Sequence, residues 1–362
     1  NAIDTDPLYV MFTSGSTGVP KGVVISHRSV IDYTEWLAET FSFSADTVFG
    51  SQAPFYFDNS ILDIYSTLRN GAKTIIIPEE KFLSPPNLCK YIDEKHINTI
   101  FWVPSALVLT ANSKALEKHA PKGLQKILFC GEVMPAKQLN IWQKHLPEAL
   151  YANLYGPTEI TDVCAYYIID RKFNDDDPLP IGFPCNNTAV LTLDDDNKLI
   201  PQNETGRIGE LCIKGTCLSA GYYNDPDKTE KAFVQNPLNA SYPEKIYRTG
   251  DLVQYNERGE LMFSGRKDYQ IKHMGNRIEL GEIETAASSF NSVARCCALY
   301  SDVRKKIILA ASPESIDKTA LYSYLKTLLP QYMLPAQIET LDDMPLNQNG
   351  KIDRILLRNK YC

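Results

Sequence analysis

The sequence holds no Cys-x-x-Cys pair, although nine cysteines are scattered through its 362 residues. An odd, scattered set fits neither a disulfide framework nor a zinc site, and it points to a reducing cytoplasm. Histidine is scarce, with five in all and none paired at a metal-ligating spacing. There is no Lys/Arg-rich block, and the net charge of −7 argues against a nucleic-acid or membrane-surface protein. No apolar run approaches a membrane span, and nothing at the start resembles a signal peptide. Internal repeats and low-complexity segments are absent too. The triple aspartates at 175–177 and 194–196 lack EF-hand spacing and read as solvated loops. What is present is ample apolar material, 44% of residues, on a chain longer than one core usually serves. Two or more domains are expected. The chain opens on Asn1 and reaches a strand within nine residues, which suggests a fragment.

The densest local signal is "YVMFTSGSTGVPKGVVISH", residues 9–27. A Walker A loop read from Gly15 fails twice, with Pro20 at the second glycine and Gly22 after Lys21. A Walker loop also opens a helix, whereas Gly22-Val-Val-Ile-Ser26 is β-branched and reads as a strand. The element is therefore strand–loop–strand. Its glycines allow close approach of backbone amides to an anion. Thr13, Ser14, Ser16 and Thr17 add hydroxyl donors, and Lys21 adds charge. A plain flexible hairpin turn would need far fewer such residues.

Downstream the pattern alternates helix and strand. Ile61, Ile64, Tyr65 and Leu68 predict one apolar helix face, stopped by Gly71 and followed by a strand at Thr74–Ile77. "NTIFWVPS" predicts a strand leading into a helix from about Ser105. "KILFCGE" predicts another, before a helix opened by Pro135 with Leu139, Trp142 and Leu146 inward. From about Asn187 strands and turns dominate. After Arg266 the pattern returns to mixed α+β, with helices near 279–290 and 318–329 flanking a hairpin.

Seven stretches in order, "TSGSTGVPKG", "FDNS", "YGPTE", "GELCIKGTCLSAGYYNDPDKTEKAF", "YRTGD", "GRKDYQIKHMGNRIELGEIE" and "NGKID", resemble the adenylate-forming enzymes. That superfamily includes nonribosomal peptide synthetase adenylation domains, acyl-CoA ligases and firefly-type luciferases. The resemblance runs from about residue 9 to residue 354. It implies an α/β fold with a large N-terminal region of βα-layered sheets and a small β-rich, barrel-like subdomain at about 187–267. A small mobile α+β C-terminal domain, 268–362, would follow the core at 1–267. The family carries a further subdomain-sized stretch ahead of the first motif, which this sequence lacks.

The implied chemistry is attack of a carboxylate on the α-phosphorus of ATP, with Mg²⁺, followed by acyl transfer to a thiol. Positioning and electrostatic stabilisation would dominate such a step. By resemblance, Thr13, Ser14, Gly15, Ser16, Thr17, Gly18 and Lys21 would cover the β- and γ-phosphates. Gly131, Glu132 and Val133 would line the adenine site, as would the segment Asn153, Leu154, Tyr155 and Gly156, with Tyr155 against the ring. Thr158 would meet the α-phosphate and Glu159 would help hold Mg²⁺. Asp251 would accept the ribose hydroxyls, although an Asx-type turn before Leu252 fits the local sequence equally well. Arg266 would reach ribose or phosphate. Lys351, which composition alone would leave on a solvated surface, matches the lysine bridging carboxylate and phosphate. Asp268 falls at the family's hinge, and Gly275 would admit a pantetheine arm.

Asp58 matches the aspartate that pairs with the α-ammonium in amino-acid-activating members, although it could equally cap the next helix. The resemblance therefore implies an amino acid substrate and a phosphopantetheinylated carrier protein as partner. "APFYFDNSILDIY" and "LFCGEVMP" look most like stand-alone D-alanine–carrier-protein ligases, and the sequence stops soon after "NGKIDR" as such a ligase would. Motif positions assign Asn59, Leu62, Phe101, Leu128, Cys130, Leu154, Asp162 and Val163 to the pocket. Asp162 departs from the small apolar residue expected for alanine. Its charge requires either a protein partner such as Asn59 or a polar group on the substrate. The alternatives are an acyl-CoA ligase, disfavoured by Asp58, and a truncated nucleotide-binding module without catalysis.

Overall fold

The computed structural model describes residues 1–13, 20–267, 270–346 and 352–362. The chain divides into two compact units, one of residues 1–12 and 22–267, the other of 268–362 together with 13–21.

The first unit is organised by a seven-stranded sheet. Its spatial order is Lys73–Ile76, Val48–Ser51, Thr99–Trp102, Lys126–Phe129, Leu150–Tyr155, Ala165–Ile168 and Phe183–Pro184. The first five strands are parallel and the last two antiparallel. All four residues of Thr99–Trp102 are buried, as a parallel strand covered on both faces requires. Alternation then sorts the side chains. Phe101, Leu128, Ala152 and Leu154 point to one face, and Ile100, Trp102, Ile127, Phe129 and Tyr151 to the other.

The first face is covered by the helix His27–Phe41, which contributes Val30, Tyr33, Trp36, Leu37 and Phe41 at helical spacing. Ser26 caps it by accepting a hydrogen bond from the Ser29 amide at 3.2 Å. The helix Ser60–Asn70 adds Ile61 and Leu62. Its end at Gly71, in the left-handed conformation, falls where the sequence placed it. Its facing differs from expectation. Leu68 is 73% exposed, Ile64 and Tyr65 are half-buried, and Leu62, Asp63 and Ser66 turn inward instead. Apolar periodicity misreads this helix because three of its buried positions, Ser60, Asp63 and Ser66, are polar.

The other face is packed by the helices Pro85–Glu94, Pro104–Asn112 and Ala136–His145, with Leu139, Trp142 and Leu146 inward as expected. Beyond residue 187 a five-stranded antiparallel sheet forms, in the order Thr188–Leu193, Gly209–Gly215, Lys245–Tyr255 and Phe233–Gln235, with Leu261–Arg266 also paired to Lys245–Tyr255. A smaller sheet joins Pro7–Thr13, Lys21–Ser26 and Gly221–Tyr222.

In the second unit the hairpin Arg295–Ser301/Lys306–Ser312 carries a parallel strand, Gln337–Thr340, and packs against the helices Leu280–Ser288 and Lys318–Leu328. A second hairpin, Gln270–His273/Asn276–Glu279, turns through Met274 and Gly275, both at positive φ (52° and 78°). That geometry matches a two-residue type I′ turn, which explains a glycine at 275 on backbone grounds alone. Among the described residues no helix is long and apolar enough to cross a membrane.

Candidate active site

The residues assigned to the pocket converge at the C-terminal ends of the parallel strands, where open α/β sheets bind ligands. Phe101 and Leu128 are register partners on adjacent strands, and Leu154 lies two residues beyond Ala152, the partner of Leu128. With Leu62, Cys130 and Val163 they belong to one buried cluster. The apolar wall is therefore a consequence of strand alternation.

Asp58 lies just ahead of the helix Ser60–Asn70 but does not cap it. Its Oδ1 accepts from the Asn59 amide at 3.0 Å, and its Oδ2 accepts from the Thr158 hydroxyl at 2.5 Å. Two residues a hundred positions apart, one assigned to an ammonium and one to a phosphate, are thus in direct contact. Thr158 opens a short 3₁₀ turn, Thr158–Ile160, that also carries Glu159. Glu159 is fully buried, and its Oε1 accepts from the Tyr222 hydroxyl at 2.8 Å. The turn is pressed against the pocket wall at Gly156. A Cβ there would lie 2.8 Å from Val163 Cα and would collide with the Asp162 carbonyl oxygen. Only glycine fits.

Asp251 and Arg266 are cross-strand partners in the five-stranded sheet. Arg266 donates to Asp251 Oδ1 at 2.5 Å, and the Tyr155 hydroxyl donates to Oδ2. Asp251 therefore sits inside a strand, so the Asx-turn alternative fails. Tyr155 is itself buried, and burial and the Asp251 carboxylate push its phenol far up. Glu132 accepts from the Ser105 amide at 2.9 Å and so caps the helix Pro104–Asn112. Gly131 is at φ 100°, and Val133 is 65% exposed. Asn153 stands apart. Its amide donates to the Pro180 carbonyl at 2.7 Å, and alternation puts it with Tyr151 on the face opposite Leu154.

Asp162 is 1% exposed and lies at φ 71°. Of the two options, a protein partner such as Asn59 or a polar group on the substrate, the described residues provide a protein partner, and it is Tyr33, whose hydroxyl donates to Oδ2 at 2.6 Å. Burial pushes the Asp162 carboxyl far up, and the carboxylates of Asp58 and Asp63 add to this while the Tyr33 bond opposes it. Asp63 is buried on the same side, and its carboxyl is raised to about 7 by desolvation, partly offset by the Ser51 hydroxyl. Neither Asp63 oxygen has a partner in full hydrogen-bonding geometry, nor does Asn59 Nδ2 or the Tyr9 hydroxyl. Tyr9 is pushed far up by burial first, then by Asp58 and Asp162.

Sequence reading missed Tyr9, Tyr33 and Tyr222. Each occupies an inward position of a strand or helix, where an aromatic reads as core, and nothing in the local sequence signals a hydroxyl partner. Ser14, Gly15, Ser16, Thr17, Gly18, Asp268 and Lys351 lie outside the described residues. Thr13 ends the strand Pro7–Thr13 with its hydroxyl buried, Lys21 begins the next strand, and Gly275 forms the hairpin turn described above. Among the described residues no three His, Cys, Asp or Glu side chains are grouped to hold a metal ion. The nine cysteines are free, all but Cys362 buried.

Residues 2–223 match the family described as AMP-binding enzyme. The chain belongs to that family. It is 36% identical over 353 residues to an L-proline–[L-prolyl-carrier protein] ligase of Streptomyces coelicolor, covering 95% of this chain and 64% of that protein. It is 34% identical over 353 residues to bacitracin synthase 1 of Bacillus licheniformis, covering 96% of this chain and 6% of that one. Among solved structures, the Vibrio cholerae adenylation domain AlmE in complex with glycyl-adenosine-5'-phosphate superposes with a TM-score of 0.87 at 26% identity. That match covers 99% of this chain and 67% of AlmE. The chain thus spans about two thirds of the length of its carrier-protein-ligase relative.

Proposed function

We propose that the protein adenylates an amino acid with ATP and Mg²⁺ and passes the aminoacyl group to the phosphopantetheine thiol of a carrier protein. The observation that carries this reading is the hydrogen bond from Thr158 to Asp58. An α-amino acid carries its ammonium and its carboxylate on one carbon. The group that receives the ammonium must therefore adjoin the group that receives the phosphorus under attack. Asp58 and Thr158 adjoin in this way.

In the first step a substrate carboxylate oxygen bonds to the α-phosphorus, the bond to the bridging oxygen breaks, and pyrophosphate leaves. In the second a thiolate displaces AMP from the acyl carbon to give a thioester. Asp251 and Arg266, locked together across two strands, form a rigid pair suited to ribose and phosphate oxygens. Glu159 is the carboxylate that would help hold a magnesium ion, which is usually bound by one or two carboxylates plus its substrate. Tyr222 orients that carboxylate. The boundary between the compact units, between Lys267 and Asp268, supports a hinge at Asp268 and a mobile C-terminal domain bearing Lys351.

Relatives support the substrate and partner. The similar Streptomyces protein is a prolyl-carrier-protein ligase, and the similar Vibrio domain holds glycyl-adenosine-5'-phosphate. The test is amino-acid-dependent exchange of radiolabelled pyrophosphate into ATP. Exchange supported by at least one amino acid, and lost in Asp58→Ala, is expected. Exchange driven only by carboxylic acids without an α-amino group would transfer the protein to the acyl-CoA ligases.

A further inference from the structure

Amino-acid activation leaves an excess of acid unexplained. One carboxylate suffices for an α-ammonium, and Asp58 is assigned to it. Asp162 is a second, wholly buried, on the stretch that follows the Thr158–Ile160 turn in contact with Asp58. Its partner, the Tyr33 hydroxyl, supplies a donor and no charge. Among the described residues Asp162 has no ion pair with Lys, Arg or His. On the strand Pro7–Thr13 the Tyr9 hydroxyl, which feels both carboxylates, is buried and has no partner among the described residues. The neighbouring Asn59 Nδ2 is also buried and without one.

Buried polar atoms in native proteins are almost always paired, and buried charge is matched by opposite charge. Here unfilled donor and acceptor capacity and a carboxyl without an opposite charge belong to the same side of the sheet, the side that forms the pocket. A hydroxyl on the ligand would fill one hydrogen bond but give the carboxyl no opposite charge to ionise against. A second ammonium would supply both charge and donors.

We propose that the pocket takes a diamino acid, with its α-ammonium on Asp58 and its side-chain ammonium on Asp162 beside the Tyr9 hydroxyl. Asp162 is then the specificity residue, and Tyr33 is a positioning residue that fixes its carboxylate. Thr161 and Asp162 both hold left-handed backbone (φ 61° and 71°), an arrangement that costs energy at non-glycine positions and turns the side chain inward. The inference rests on the amino-acid reading above.

The experiment uses the full chain and two readouts. Calorimetric binding and pyrophosphate exchange are both measured with lysine, ornithine and 2,4-diaminobutyrate, against norvaline, threonine and alanine. The best diamino acid is expected to exceed norvaline by about 100-fold or more in kcat/KM, the scale of buried polar recognition. Asp162→Asn should erase that preference, and Tyr33→Phe should reduce it by about tenfold, the scale of one hydrogen bond. Should Asp162→Asn fail to fold, the wild-type ranking decides the question alone. A preference for norvaline, threonine or alanine over every diamino acid overturns the inference and leaves amino-acid adenylation intact. Absence of exchange with every amino acid overturns the adenylation reading. Binding then judges the pocket by itself: equal affinity for norvaline overturns the inference, and diamino acid binding lost in Asp162→Asn supports it.

Discussion

The two faces of the seven-stranded sheet treat polar atoms differently. On the face lined by Ile100, Trp102, Ile127 and Phe129, each such group has a partner. Trp102 donates to the Gly50 carbonyl at 2.8 Å, Trp142 to Leu107 at 3.0 Å, Asn153 to Pro180 at 2.7 Å, and the Tyr151 hydroxyl to Leu146 at 2.9 Å. On the face lined by Phe101, Leu128 and Leu154, the atoms Tyr9 Oη, Trp36 Nε1, Asn59 Nδ2, Ser66 Oγ and both Asp63 oxygens have none. Both faces are buried and rich in large apolar side chains. One is saturated within the fold, and the other keeps open hydrogen-bonding capacity, as the proposed site would require.

The comparison can be broken from either side. Trp142→Ala on the saturated face is expected to cost about 3–5 kcal/mol of stability, seen as a lower denaturation midpoint, with the KM for amino acid unchanged in the folded fraction. A changed KM would mean that the two faces are not independent. Asp58→Ala on the other face should cost about 2–5 kcal/mol in kcat/KM for the amino acid, as removal of one partner from a desolvated charge pair does. The KM for ATP should move little.

Asp63 tests the unsaturated face through pH. Its carboxyl titrates near 7 in the folded protein, against 3.8 ordinarily. Between those values the folded state holds a proton that the unfolded chain releases. Stability therefore falls as pH rises through that window, by an amount on the order of a few kcal/mol. Asp63→Asn should raise the midpoint relative to wild type at about pH 8, with the gain shrinking towards about pH 4. A gain that does not vary with pH would mean that Asp63 is compensated in a way the geometry does not reveal. The smallest effect is expected from Asn153→Ala, about 1–3 kcal/mol of stability from the orphaned Pro180 carbonyl. An increased KM for ATP in that variant would support the expected nucleotide contact of Asn153.

Much of this was legible in the sequence. The alternation that places Phe101, Leu128 and Leu154 on one wall follows from strand geometry, and "YGPTE" announced a loop at the strand end. The facing of the helix Ser60–Asn70 was not legible, because Asp63 and Ser66 point inward and a periodicity count assigns polar residues outward. Nor was the Tyr33–Asp162 bond, which joins residues 129 positions apart. A tyrosine at an inward helical position satisfies core patterning whether or not its hydroxyl has work. Long-range polar pairing leaves no local trace.

The contact at Gly156 has a consequence for how specificity can change. The Asp162–Val163 backbone rests directly on the glycine that leads into Thr158 and Glu159. A substitution that shifts the backbone at 162 or 163 to accept a new side chain will therefore displace the Thr158–Ile160 turn as well. Recoding this pocket for another substrate should prove epistatic, with side-chain exchanges at 162 and 163 succeeding only where the backbone stays still or where changes around residues 156–159 absorb the shift.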